Sequence, residues 1–234
     1  MISDSKNEYF GFAGKLLKID LSSKSISIEA LNPQYSKDFL GGAGYACRYL
    51  FDYIDKDTDP LSADNILMIM NGPLSFTSAP SSARMVICSK SPYTGLWGEG
   101  NAGGFFGPEM KRAGYDGIII TGKSEKPVFI RIFDDSAEIL DASEIWGLGV
   151  KKTHEKLKIL SGDHKSKVLC IGQAGENLVK FANICTEGRA AGRTGMGAVM
   201  GSKNLKGIVI KGNTFKPRVA NPEKFKEIVK KTSR

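Results

Sequence analysis

Residues 181–212 read FANICTEGRAAGRTGMGAVMGSKNLKGIVIKG. The order is a strand, a glycine-rich loop with two arginines, a short helix and a strand. Residues 84–122, RMVICSKSPYTGLWGEGNAGGFFGPEMKRAGYDGIIITG, follow the same plan. Shifting one stretch by ninety positions makes seven residues coincide: Gly98/Gly188, Gly107/Gly197, Met110/Met200, Gly117/Gly207, Ile118/Ile208, Ile120/Ile210 and Gly122/Gly212. Self-similarity at a fixed offset, with no gap, is the mark of a duplicated unit. Each copy offers a loop of backbone N–H groups ahead of a helix, an arrangement suited to anions.

Outward from these loops, the 234 residues, 41% of them hydrophobic and 27 of them glycine, suffice for one large domain or two small ones. The net charge of +8 suits an anionic partner and equally a plain soluble surface. Lysines 151, 152, 156 and 158 fall on an expected surface helix, and lysines 224, 226, 230 and 231 crowd the tail. Runs of that kind are commonly solvated. Cys47, Cys88, Cys170 and Cys185 form no Cys-x-x-Cys pair, which argues against a local zinc or iron–sulfur site and against a disulfide framework. Buried thiols in a cytoplasmic protein are expected. No apolar run reaches the ~18 residues of a membrane span, and the polar opening MISDSKNEYFG does not read as a signal peptide.

In chain order, residues 15–20 and 25–29 alternate and predict a β-hairpin. Residues 36–53 carry apolar groups at helical spacing, weakened by Gly41, Gly42 and Gly44, which suggest close backbone approach or a loop that delays the helix start. Strands are expected at 65–70, 84–89, 115–121, 167–171 and 178–185, a hairpin over 127–133 and 137–140, and helices over 103–114 and 149–160. Beyond Gly212, NTFKPRVANPEKF reads as a linker, and Asn221-Pro222 as the cap and first turn of a helix with little to pack on. The expected division is a domain over 1–213 and, over 214–234, a linker opening a further domain, poorly ordered or packed against a neighbouring molecule. His154 and His164 are expected to be exposed and structural.

Two familiar motifs fail. Residues 98–103 match G-x-G-x-x-G, but residues 92–97 separate them from the strand that a dinucleotide site needs immediately before it. Gly201-Ser202-Lys203 reverses the Lys-Ser order of a P-loop. What survives is more general: Arg84, Arg189 and Arg193 present planar forks that hold phosphate oxygens bidentately. The plainer reading of the same residues is tight-turn glycines with arginines at the surface or paired with Glu187.

Residues up to about 212 resemble the N-terminal domain of the aldehyde ferredoxin oxidoreductase family. The resemblance rests on residues 11–21, Phe39-Leu40-Gly41-Gly42, Asn71-Gly72-Pro73, Ser82-Ala83-Arg84, GNAGG at 100–104 and, most distinctively, GRAAGR at 188–193 with GAVMGSKNLK at 197–206. It implies an α+β fold, an internal duplication of two similar sheet-plus-helix halves forming a base for a tungsten or molybdenum bis-pterin. It implies that Arg84 and Arg189 hold the pterin phosphates, and that backbone carbonyls of Asn101 and Ala190 bind a bridging magnesium ion. The candidate cofactor-binding set is Arg84, Asn101, Ala102, Gly103, Arg189, Ala190, Gly192 and Arg193. In the family the [4Fe–4S] cluster lies in later domains, so this chain is expected to be inactive alone and to hold no catalytic residue. Those later domains, an aldehyde and ferredoxin are the implied partners, and a homo-oligomer is compatible. The repeat fits a ligand of two equal halves; Ala190 falls opposite Gly100, one position from Asn101. The halves are expected to divide within 123–149, with 65–70 and 167–171 as equivalent strands and both glycine loops on an exposed face. A second class of function, a non-catalytic nucleotide- or RNA-binding module, fits the basic charge, but no aromatic cluster flanks the basic loops.

Overall fold

The computed structural model describes residues 10–233; all but the last two residues of the polar opening MISDSKNEYFG lie outside them. β1 (Lys15–Asp20) and β2 (Ser25–Ala30) form the expected antiparallel hairpin. Its turn is closed by Asp20 Oδ1, which accepts from Ser22 N at 2.8 Å and Ser23 N at 3.1 Å. The single helix expected over 36–53 is two: α1 (Pro33–Phe39) and α2 (Gly42–Tyr53). Leu40, at φ +62°, turns the chain between them, and a Cβ at Gly44 would lie 2.5 Å from the Phe39 carbonyl oxygen. The glycines that weakened the helix are what lets the second segment fold back on the first.

Next come β3 (Leu67–Asn71), β4 (Met85–Lys90), β5 (Trp97–Ala102), α3 (Phe106–Arg112) and β6 (Gly117–Thr121). The second half contains β7 (Val128–Phe133), β8 (Ser136–Asp141), α4 (Val150–Ser161), β9 (Lys167–Cys170) and α5 (Gln173–Glu176). It continues with β10 (Ile184–Thr186), β11 (Arg189–Ala191), α6 (Met196–Ser202) and β12 (Leu205–Lys211). α7 (Pro222–Thr232) closes the described chain with no buried residue.

The fold is α+β, in two related halves. One six-stranded sheet runs β2-β1-β6-β3-β4-β5 and the other β8-β7-β12-β9-β10-β11. Position by position the pairings agree: β1 with β6 and β7 with β12 are parallel, and the rest are antiparallel. β3 and β9 are the equivalent strands expected. The hairpin β7–β8 belongs to the second half, as the counterpart of β1–β2, so the division falls at 122–127, the near end of the expected window.

Alternation explains the layers. Leu17, Ile19, Leu67, Ile69, Ile118 and Ile120 of the first sheet face Ile130, Ile132, Leu169, Ile208 and Ile210 of the second, with Phe106 and Met110 of α3 and Val199 and Met200 of α6 between them. The opposite sheet faces are covered by α2, through Tyr45, Ala46 and Leu50 on Met68 and Cys88, and by α4, through Leu157 beside Val168 and Val209. A strand buried on both faces reads as a continuous apolar run, as LMIMN of β3 does. α3 packs on strands of the second half and α6 on strands of the first, so the halves share one core.

Three other expectations are corrected. Residues 178–185 form strand only from Ile184; before it α5 packs on α6 so closely that a Cβ at Gly201 would sit 1.9 Å from the Gly175 carbonyl oxygen. Residues 213–218 are fastened, not loose: Phe215 N donates to Arg112 O at 3.0 Å, Gly11 N to Arg218 O at 2.8 Å and Asn213 N to Asp134 Oδ1 at 2.7 Å. Of the four free cysteines, Cys88 and Cys170 are buried, with burial pushing their thiols up, but Cys47 is exposed on α2 and Cys185 half-buried.

Lys203, fully buried after α6, ties the halves together. Its Nζ donates to Ala63 O at 3.1 Å and Gly122 O at 3.0 Å. Burial pushes the ammonium down from 10.5 to about 8, against the weaker attraction of Asp64 and Asp20. Between those pH values the folded chain binds fewer protons than the unfolded one, so this group's contribution to stability rises with pH across the window and its penalty is complete below about 8. The full swing is roughly 3 kcal/mol. Denaturant titrations from pH 7.5 to 10.5 are expected to show the wild-type curve gaining on that of Lys203→Met by that order; parallel curves would refute the shift.

Candidate functional site

The glycine-rich stretches are strand over 97–102 and 189–191 and loop only beyond them, over 103–105 and 192–195. β5 pairs with β4, and β11 with β10, as hairpins at the equivalent edges of the two sheets. Alternation along β5 sends Gly98, Gly100 and Ala102 toward the core and Trp97, Glu99 and Asn101 outward. The glycines permit the halves to touch: a Cβ at Gly100 would lie 3.0 Å from the Ala191 Cβ on β11, and one at Gly98 2.6 Å from Met196 Cε. Duplication thus sets two edge strands side by side, each preceding its short helix.

A groove of about 700 Å³ opens over this junction, lined by Arg84, Trp97, Glu99 and Asn101 from the first half and Ala190, Gly192, Arg193 and Thr194 from the second. Five expected site residues meet there: Arg84, Asn101, Ala190, Gly192 and Arg193. Arg189 opens instead into an adjoining cavity of about 490 Å³ with His154, Cys185 and Glu187, and Ala190 borders both. The Arg189 stem runs past Gly104, whose added Cβ would lie 3.8 Å from Arg189 Cγ. Ala102 points into the core, and an added Cβ at Gly103 would meet open space.

The charges of the groove are uncommitted. The arginine ion pairs among the described residues are those of Arg48 with Asp52 and Arg131 with Glu138, leaving Arg84, Arg189 and Arg193 without an acidic partner. Glu187, the partner considered from the sequence, is engaged elsewhere: it accepts from Val168 N at 3.1 Å and Thr186 Oγ1 at 2.8 Å. Asn101 Nδ2 donates to Glu99 Oε1 at 2.5 Å. Unpaired guanidiniums beside a strand edge form an anion site, and charge-assisted bonds to phosphate are the strong ones.

Sequence reasoning missed Trp97 and Glu99. Their signal was the alternation of large residues with Gly98 and Gly100, a period of two inside what reads as a loop. His154 is also corrected: it is half-buried, its Nε2 unbonded and 4.0 Å from Glu187 Oε1, and burial first, then Lys158, push its pKa down from the ordinary 6.5 and favour the neutral ring. His164 is exposed, as expected. Among the described residues no cluster of three His, Cys, Asp or Glu side chains is placed to hold a metal, and no helix is long and apolar enough to cross a membrane.

The model of the aldehyde ferredoxin oxidoreductase N-terminal domain matches residues 16–212, which take in both sheets almost entirely. The chain belongs to this family. It is 46% identical, over 222 residues, to the tungsten-containing aldehyde ferredoxin oxidoreductase of Pyrococcus furiosus and 45% identical to that of Pyrococcus horikoshii. Each alignment covers 94% of this chain and 36% of the relative, so the chain spans about a third of their length. An aliphatic sulfonate oxidoreductase, WOR-like subunit, of Pyrococcus furiosus is 37% identical, with 94% of this chain and 38% of that one covered. Among solved structures, the active site complex BamBC of benzoyl coenzyme A reductase, in complex with 1,5-dienoyl-CoA, superposes with a TM-score of 0.92 at 38% identity, over 94% of this chain and 34% of that one. Membership of the aldehyde ferredoxin oxidoreductase family and the paired-sheet architecture therefore agree.

Proposed function

We propose that this chain is the cofactor-binding base of a tungsten or molybdenum bis-pterin oxidoreductase that converts aldehydes to carboxylates with ferredoxin as electron acceptor. The observation that carries the reading is the shared groove. Two duplicated edge strands bring Arg84 and Asn101 of one half beside Ala190, Gly192 and Arg193 of the other, as a ligand of two equal phosphorylated halves requires. Unpaired guanidiniums and an open, polar junction fit such a group.

In this reading Arg84 holds the phosphate on the first half's side of the groove, and Arg193 the one on the second half's side, with Arg189 reaching that second phosphate from the cavity that adjoins the groove at Ala190. Backbone carbonyls of Asn101 and Ala190 offer oxygens to a magnesium ion, which prefers such ligands and keeps waters beside phosphates. When bound, the tungsten or molybdenum supplies the two-electron chemistry; the protein supplies position and electrostatics. Residues 1–213 form the pterin-binding domain and residues 214–234 lead into a further one. The [4Fe–4S] cluster, the proton-transfer residues and the ferredoxin contact belong to other domains, so this chain alone does not turn over. A cytoplasmic location accords with free, partly exposed thiols.

A hydrogen bond to a charged group contributes about 1.5–3 kcal/mol, so losing one arginine is expected to weaken phosphate binding about tenfold to a hundredfold. Arg84→Ala or Arg189→Ala in the holoprotein should lower tungsten and pterin content with circular dichroism unchanged. Lys152→Ala, on the exposed face of α4, is the control. Full metal and pterin in both arginine variants would refute the site.

A further inference from the structure

Glu99 enters the groove beside Arg84 and Arg193 yet pairs with neither. Its Oε1 accepts from the Asn101 amide nitrogen, which turns the donor end of that amide toward Glu99. The second Glu99 oxygen and Asn101 Oδ1 meet no donor among the described residues and are left as acceptors on the groove wall. Trp97, Glu99 and Asn101 stand on one face of β5, so the strand fixes the side on which Glu99 stands. In the repeat, the position ninety residues after Glu99 is Arg189. The two halves thus present opposite charges at equivalent places, a break in a pseudosymmetry that the strand order keeps throughout.

A carboxylate facing phosphates repels them, and a neutral side chain there would bind an anion better. A divalent cation removes the conflict. Hard cations take oxygen ligands, and magnesium in particular is commonly held by one or two carboxylates together with ligand phosphates. We propose that Glu99 supplies the protein carboxylate, directly or through a water, of a divalent-cation site in this groove, and that its bond to Asn101 orients the amide oxygen toward the same ion. This rests on the phosphate-holding role of the groove and adds to the uncharged backbone carbonyls a charged ligand on the first half only.

The test uses Mn²⁺ as the probe, read by its electron paramagnetic resonance signal and by metal analysis of the holoprotein after exchange and dialysis. Glu99→Gln keeps the size of the side chain and an oxygen to accept from Asn101, but removes the charge. It is expected to retain tungsten and pterin near wild-type levels while its Mn²⁺ affinity falls at least tenfold; Glu99→Asp should recover part of the loss. Mn²⁺ held by Glu99→Gln as tightly as by wild type would overturn the assignment and leave the cofactor reading intact. Mn²⁺ lost in Glu99→Gln from a protein that carries neither tungsten nor pterin would support the cation site and overturn the cofactor reading instead.

Discussion

Asp116→Ala is expected to destabilise the fold by about 3–5 kcal/mol, the usual consequence of stranding one member of a buried ion pair. Lys111 and Asp116 are 0% and 1% exposed at their side chains and bonded to each other. Asp116 also accepts from Ala13 N at 3.1 Å and Gly14 N at 2.7 Å, and Lys111 Nζ donates to Gly11 O at 3.1 Å. The pair therefore holds residues 11–14 across the start of β6. Burial pushes the Lys111 ammonium down, and the nearby Asp116 charge is what opposes that push. With Asp116 gone, the ammonium must lose its proton or draw in water, and two backbone N–H groups lose their acceptor. Urea unfolding followed by tryptophan fluorescence gives the size of the effect. Lys111→Met combined with Asp116→Leu removes both charges and should recover a good part of the loss, because replacing both members with apolar groups avoids the stranded charge. A single variant within about 0.5 kcal/mol of wild type would show that water reaches the pair.

The second large effect is on ligand affinity. Arg84→Ala combined with Arg193→Ala is expected to reduce retention of the phosphorylated cofactor by about a hundredfold to ten-thousandfold, the product of two independent charge-assisted contacts. Arg84 stands just before β4 and Arg193 just after β11, so they reach the groove from different halves. If each serves its own phosphate, the two losses add in free energy, as distant sites with no shared partner do. If both grip one phosphate, the double variant falls short of the product. Pterin quantified per polypeptide in the four proteins of the cycle decides between these cases, and additivity with neither single variant below wild type would remove both residues from the site. The fold should persist in all four, since neither guanidinium has an acidic partner to lose among the described residues.

The repeat at an offset of ninety was legible because glycines and β-branched runs survive in order where a backbone approach or a buried strand needs them. It located α3 and α6, β6 and β12, and the pairing of halves that the sheet order bears out. Hairpins with clear alternation, such as β1–β2 and β7–β8, were equally legible. Local pattern misled where a distant contact decides the conformation. One helix was expected over 36–53 where there are two, although Gly41 and Gly44 did signal the close approach and late start that the fold-back of α2 on α1 requires. The apolar residues of 178–185 read as a strand, but most of them turn beneath α6.

Sequence by itself therefore determined the duplication and the residues rich enough in donors to hold an anion, because these follow from periodicity and side-chain chemistry; the α+β class came from the family resemblance that the same residues carry. Tertiary structure alone decided which of them meet. Asn101 and Ala190 come together because Gly100 lets β5 approach Ala191 on β11. Glu99 faces the arginines because a strand, not a loop, carries it. Arg189 opens into the neighbouring cavity beside His154. Each of these depends on how two sheet edges abut, and edge packing between strands some ninety residues apart leaves no periodic trace in either strand.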